Sequence, residues 1–274
     1  MIEAGTKPEE ILTAMGITEP GELDIEAIAY ACGAMIVPQP LSGCQGNIIG
    51  FGDRAIITVN SNSIPTRRRF TAGHELGHWM KDRGQSAFGC SDTQIESEWT
   101  LNNPETRANR FASDLLLPLS MFVPLAEGRG LTLDTVEDLA RQFQMSKSAT
   151  AVRLVQHGSF PGMLVFYENG QRKWFLRPSK DIPGSFWPPE QPEEHSFAAS
   201  VLKNRFSNES AGDVRTDRWF EHRSADKYYI RESTFRTGDT GLMVLLWWQD
   251  EQQLIDIADE EELRANRRAD WHEE

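Results

Sequence analysis

Two histidines four residues apart, with a glutamate directly after the first, constrain this chain more than anything else in it: His74-Glu75-Leu76-Gly77-His78. On an α-helix of 3.6 residues per turn, positions four apart lie about 40° from eclipsed. Both imidazoles then leave one face and can meet a single metal ion, and Glu75 flanks that face within reach of a water on the ion. Arg67–Lys81 reads as the helix, and Phe70, Gly77 and the small residues around the motif suit packing against neighbours better than exposure. Two incidental surface histidines are the alternative. From residue frequencies alone the pattern arises by chance in roughly one chain in a hundred of this length.

A catalytic zinc takes three protein ligands and leaves the fourth position open. Residues 82–103 are rich in Gly, Ser, Asp and Asn and read as a loop. Pro104 suits the first turn of a further helix that stops before Pro118. Glu105, 27 residues after His78, is the best third ligand. Asn109, one turn on, faces the same way and can hydrogen-bond a histidine ligand. Glu105 as a plain acidic first-turn residue is the alternative. Glu96 and Glu98 are competing ligands from the loop.

Arg69–His78, then Glu105-Thr106-Arg107-Ala108-Asn109-Arg110-Phe111-Ala112, then Leu115-Leu116-Leu117-Pro118, resembles the ImmA/IrrE family of zinc metallopeptidases. Gly46–Gly50 and Ile56–Asn60 add to the likeness, which covers roughly residues 20–157. Many relatives carry Leu-Ala before the first histidine, where this chain has Ala72-Gly73. Gly lowers helix propensity but leaves the chemistry intact. The resemblance implies an α+β, zincin-like peptidase domain with a small sheet and a Zn²⁺ ion on His74, His78 and Glu105. It implies cleavage of a helix-turn-helix repressor that induces a stress, mobile-element or phage-defence operon. Zinc lowers the pKa of a bound water toward about 7, Glu75 takes its proton as general base, and the proton passes to the leaving amine. His157 and Tyr167 are oxyanion donors by residue type only, and neither is assigned.

Before the motif, Asp24 caps a short helix through Tyr30, and Ala34–Pro38, Asn47–Phe51 and Ala55–Val59 read as strands, the last two joined at Gly52-Asp53. After it, residues 131–157 read as two or three short helices. Leu139–Leu154 has the look of a helix-turn-helix with its turn near Met145-Ser146, yet only Lys147 and Arg153 are basic beyond that turn, too few for strong phosphate contact. A packed helical unit is the favoured reading there. The domain boundary is expected near Ser159, giving a peptidase domain over 1–158 and a sensor or regulatory domain over 159–274.

Met163–Tyr167, Lys173–Arg177, Lys227–Glu232 and Leu242–Trp248 read as strands of that second domain, an α/β module that family resemblance allows to be GAF-like. Basic and aromatic residues interleave in it: Arg172, Lys173, Trp174, Phe175 and Arg177; Arg215, Arg218, Trp219, Phe220 and Arg223; Lys227, Tyr228, Tyr229 and Arg231. Such mixtures suit single-stranded nucleic acid. A small-molecule or protein signal and a purely structural role are the alternatives. The net charge of −13, with ten acidic residues against three arginines from Asp250 onward, excludes a general duplex-DNA binder.

No apolar run is long enough to span a bilayer. The N-terminus lacks the start of a signal peptide, and three cysteines make no disulfide framework, so a reducing cytoplasm is expected. Cys32 reads as core and Cys44 as a weak candidate for function. Cys90 sits in the loop between the two metal-bearing helices, where its thiolate could fill the position meant for water and restrain the enzyme until a signal pulls the loop away. The substrate is expected as an added strand on a sheet edge formed by Gly46–Phe51. The competing function is a non-enzymatic DNA-binding regulator with a structural zinc. A structural zinc has no need of Glu75.

Overall fold

The structure, a computed structural model of the 274-residue chain, describes residues 1–81, 89–90, 103–180, 182–204, 206–222 and 224–270, with the backbone alone at 89–90, 261–262 and 264–270. It is a mixed α+β chain in two compact units, Met1–Leu125 with Leu139–Ala149, and Ala126–Asp138 with Thr150–Glu274. The expected boundary at Ser159 therefore gives way to a division inside the helical segment. The local packing of the second unit gives the reason. A Cβ on Gly130 would stand 2.2 Å from the Trp247 ring, and one on Gly162 would stand 2.5 Å from Leu131 Cδ2, so residues ahead of Ser159 already pack on the second sheet.

The first unit opens with α1 (Pro8–Met15) and α2 (Ile25–Ala31). Asp24 caps α2 by accepting from the Glu26 and Ala27 amides, a pairing that satisfies two of the helix's orphan donors. Strands β1 (Ala34–Gln39), β2 (Gly46–Phe51) and β3 (Arg54–Asn60) follow, β2 and β3 as a hairpin across Gly52-Asp53. Gly52 supplies the positive φ of that two-residue turn. Then come α3 (Pro65–Lys81), the two-residue β4 (Gly89–Cys90), α4 (Pro104–Leu116) and α5 (Leu119–Ala126). The sheet order is β1-β3-β2-β4, with β1 parallel to β3 and the other pairs antiparallel.

Alternation decides which face is covered. Ala55, Ile57 and Val59 of β3 and Ile48 of β2 are buried, whereas Ile56 and Ile49, their neighbours in sequence, are exposed. The segment read as a loop over 82–103 thus holds a strand: Cys90 pairs with Gly46, and Gly89 with Asn47. The proposed free edge of β2 shortens accordingly, because its first two residues are already paired.

Helices α6 (Leu133–Phe143) and α7 (Lys147–His157) turn at Gln144, which takes a positive φ of 54°. Arg153 is buried. One of the two basic residues beyond the turn is thus turned into the protein, in keeping with a packed helical unit.

The second unit is built on β5 (Gly162–Glu168), β6 (Gln171–Leu176), β7 (Glu209–Arg215), β8 (Tyr229–Thr237) and β9 (Gly241–Trp247), in the order β6-β5-β9-β8-β7 and antiparallel throughout. α8 (Phe197–Lys203) and α9 (Gln252–Asp270) complete it. Met163, Val165, Tyr167, Val244, Leu246 and Trp248 line one face and pack with Phe186, Trp219, Phe220, Leu254 and Ile257. None of the described helices is long and apolar enough to cross a membrane.

Candidate metal centre

α3 presents three ridges, two toward α4 and one toward β2, and the sequence fixes each. Gly73 and Gly77 face α4. A Cβ on Gly77 would lie 2.9 Å from Ala108 Cα and 3.0 Å from the Ala108 carbonyl oxygen, so only Gly lets the two helices approach this closely. At Gly73 a Cβ would lie 3.1 Å from Leu116 and 3.4 Å from Ala112. The departure from the family pattern at Ala72-Gly73 therefore sits at a tight helix crossing. On α4, small Ala108 and Ala112 complete the fit, and the same stripe carries Glu105 and Asn109 toward α3. Asn103 caps α4 by accepting from the Glu105 amide, which holds Glu105 in the first turn.

His74 and His78 occupy the second ridge, 4% and 2% exposed, and Glu75 is fully buried. His74 Nε2 lies 3.1 Å from Glu105 Oε2, His78 Nε2 lies 3.4 Å from Glu105 Oε1, and the two Nε2 atoms are 3.1 Å apart. Ligands held 2.0–2.2 Å from a tetrahedral zinc stand about 3.3–3.6 Å from one another. The three side chains thus lie close to the spacing of such a site, and they form a cluster that can hold a metal ion.

The donor chemistry agrees. His74 Nδ1–H donates to Asn109 Oδ1 at 2.9 Å, which leaves the Nε2 lone pair bare toward the cluster. The His74 and His78 ring nitrogens and the Glu105 carboxylate then converge, a donor set that suits a divalent cation.

His74, His78 and Glu105 come together, with Asn109 behind His74 and Glu75 on the adjoining ridge. Glu96 and Glu98 lie outside the described residues, as does the side chain of Cys90; its backbone pairs with Gly46. Cys32 is buried at the end of α2 and Cys44 is half-buried. Tyr167 is a core residue of the second unit whose hydroxyl donates to the Pro189 carbonyl. Sequence reading missed Gly46 and Thr71, which meet at Glu75; no pattern in the chain announces that β2 lies so close to α3.

The interleaved basic and aromatic residues divide sharply. Trp219 and Phe220 are core, Tyr228 packs against the core, and Arg215, Arg218 and Arg231 pair with Asp217, Glu193 and Asp213. Arg223 lies outside the described residues. On the β6 side, Arg172 lies over the rings of Phe175 and Trp187, at 5.7 and 5.4 Å, with Trp187 59% exposed.

Residues 32–155 match the family model of the IrrE N-terminal-like domain, a peptidase family. The radiation response metalloprotease IrrE of Deinococcus radiodurans is 27% identical over 106 residues, which span 39% of this chain and 32% of that protein. The matched segment thus covers about a third of the curated relative's length. A solved structure described as a Mycobacterium tuberculosis transcriptional regulator shares the fold: 13% identity and a TM-score of 0.61 over 90% of this chain and 77% of that one.

Proposed function

With residues 32–155 an IrrE N-terminal-like domain that carries a His-His-Glu metal cluster, we propose that the chain is a zinc-dependent endopeptidase. His74, His78 and Glu105 hold the metal and Glu75 is the general base. The observation that carries this reading is the convergence of His74, His78 and Glu105, whose ring nitrogens and carboxylate oxygens lie 3.1–3.4 Å from one another, with a second, fully buried carboxylate, Glu75, next to His74 in the helix. Zinc supplies Lewis acidity, polarising the scissile carbonyl and making water nucleophilic near neutral pH. Glu75 accepts the proton of the attacking water and delivers it to the departing amine. Asn109 fixes the tautomer and tilt of His74. The free part of the β2 edge, Ile48–Phe51, aligns an extended substrate segment by backbone pairing.

The substrate class is a helix-turn-helix repressor, cut in a loop or linker, and the cut induces a stress or phage-defence operon in the cytoplasm. The second unit acts as the sensor. Its strand order supports the GAF-like reading: numbered within the unit it is 2-1-5-4-3, as in GAF-type sensor folds. Arg172, Phe175 and Trp187 supply the surface for a single-stranded nucleic acid signal, with a small molecule as the other candidate activator. Cys90 restrains the site. The backbone pairing of Cys90 with Gly46 supports this, because Gly46 stands against Glu75. The competing reading, a DNA-binding regulator with structural zinc, is disfavoured by the burial of Arg153 and by the presence of Glu75.

The test is incubation of the zinc-loaded protein with the repressor encoded beside it. Parent protein cuts the repressor; Glu75→Gln keeps about one zinc per chain and loses cleavage by at least about 10²-fold. A variant that still cut at the parent rate would overturn the mechanism.

A further inference from the structure

The third ridge of α3 is Thr71, Glu75 and Trp79, spaced four residues apart and turned toward β2. Two glycines of β2 meet it. A Cβ on Gly46 would lie 2.5 Å from Thr71 Cγ2, 3.1 Å from Glu75 Oε1 and 3.2 Å from the Thr58 carbonyl oxygen; one on Gly50 would lie 2.7 Å from Trp79 Cζ3. Real Cβ atoms are essentially never found closer than 3.0 Å to a neighbour, so the strand lies nearer the helix than any side chain allows.

We infer that Gly46 is a positioning residue for the general base: its bare backbone leaves the space in which the Glu75 carboxylate stands. The strand cannot simply retreat to make room. Gly46 is paired with Val59 on one side and with Cys90 on the other, and Ile48, next on the same face, is buried. The helix is held too, by the tight contact of Gly77 with Ala108 and by the bond from Trp79 Nε1 to the Cys32 carbonyl at 2.9 Å. Between two fixed backbones, the mobile parts are the Thr71 methyl and the far end of Glu75. A methyl at position 46 displaces both. The carboxylate then leaves the line between water and leaving group, while His74, His78 and Glu105 stay on the other ridge. Misplacing a reacting group by about 1 Å costs on the order of 10²-fold in rate.

The inference rests on the reading of Glu75 as the base, and the experiment separates the two. Gly46→Ala is made together with Thr71→Ser, which removes the methyl responsible for the shortest contact, and is compared with Thr71→Ser alone in the zinc-loaded full chain. Thr71→Ala gives the same change more room if the serine version does not fold. Gly50→Ala is the control, equally crowded and on the same strand, but against Trp79. Three readouts are taken: kcat and KM on the repressor, zinc affinity by chelator competition, and calorimetric binding of acetohydroxamate. A hydroxamate chelates the metal and donates its hydroxyl to the base, so its affinity reports the carboxylate without turnover.

In the Gly46→Ala pair kcat falls about 10²-fold, with KM and zinc affinity close to those of Thr71→Ser, and acetohydroxamate binds about tenfold more weakly. Gly50→Ala lowers the melting temperature and leaves acetohydroxamate affinity unchanged. Parent-like kcat and acetohydroxamate affinity in the Gly46→Ala pair would overturn the inference, as would an equal loss of acetohydroxamate affinity in Gly50→Ala. If Glu75→Gln itself retained turnover, the base assignment would fail, and the acetohydroxamate arm would still decide whether Gly46 sets the carboxylate.

Discussion

The two units each bury an acidic side chain completely, and they treat it in opposite ways. Glu75 stands in the first unit beside two buried histidines and a second carboxylate, Glu105. Glu232 stands in the second unit and is surrounded by donors: Oε1 accepts from the Ala198 amide at 2.6 Å and from Thr234 Oγ1 at 3.1 Å, and Oε2 accepts from Trp219 Nε1 at 3.0 Å. Burying a charge is costly unless partners compensate it. In the second unit the protein supplies those partners itself, so Glu232 is architecture: it ties β8 to the start of α8 and to Trp219. In the first unit His74, His78 and Glu105 bring two ring nitrogens and a carboxylate together, a donor set that can hold a metal ion. Burial alone therefore does not mark a functional group. What marks it is the chemical type of the neighbours.

The sharpest way to break this contrast is to remove the convergence. Glu105→Ala takes away the anionic ligand and should lower zinc affinity on the order of 10³-fold, read by chelator competition. Full zinc retention would hand the third ligand position to Glu96 or Glu98. A smaller effect tests the support behind it. Asn109→Ala frees the His74 ring and should weaken zinc about 10–100-fold, with the helix itself intact because position 109 is interior to α4. Unchanged affinity would mean that the 2.9 Å contact with His74 does not orient the ligand.

The same contrast explains what could be read from the chain. His74, Glu75 and His78 were legible because one helix sets their geometry, and Glu105 and Asn109 because a second helix, opened by Pro104 and capped by Asn103, sets theirs. The role of Gly46 was not, since it depends on how near β2 comes to α3, a tertiary distance. In the second unit the strands richest in apolar residues, β5 and β9, were legible. β7, Glu-Ser-Ala-Gly-Asp-Val-Arg, was not: it is an edge strand whose residues are mostly exposed, so it lacks the apolar alternation that marks a strand. α9 reads in sequence as an acidic tail, because among its described side chains burial is confined to one side, including Leu254 and Ile257. Trp219 and Phe220 looked like nucleic-acid contacts because composition does not distinguish a core aromatic from a stacking one.

Half-buried Arg172 and exposed Trp187 carry the sensor proposal. Trp187→Ala and Arg172→Ala should each weaken binding of a fluorescent single strand by roughly 1–3 kcal/mol per stacked base lost, with the parent losing affinity as salt rises. Absence of binding by the parent at low salt, or unchanged binding by both variants, would remove nucleic acid as the signal. A gentler shift is expected at Cys90. Cys90→Ser should raise cleavage in the absence of any activator by a few-fold, with zinc content unchanged, if the thiol restrains the site. Basal activity equal to the parent would reduce Cys90 to a residue of β4.

The smallest effect belongs to the other arm of the contrast. Burial raises the Glu232 carboxyl above its ordinary value of 4.5, against the opposing pull of Trp219, the Ala198 and Phe197 amides and Thr234. A carboxyl whose folded pKa is raised favours folding in its protonated form. Its contribution is complete below the ordinary carboxylate range and is lost as pH climbs through the raised value. Glu232→Gln keeps the shape, and its Oε1 can still accept from Ala198, but its amide nitrogen cannot accept from Trp219, so the variant carries a fixed cost at every pH. It has no titration of its own. The parent should therefore be more stable than the variant at pH 3.5, and the gap should narrow as the pH rises to 8, measured by chemical denaturation followed through tryptophan fluorescence. A gap that widened with pH would mean that the donors outweigh burial, and that Glu232 is held as a stabilised anion.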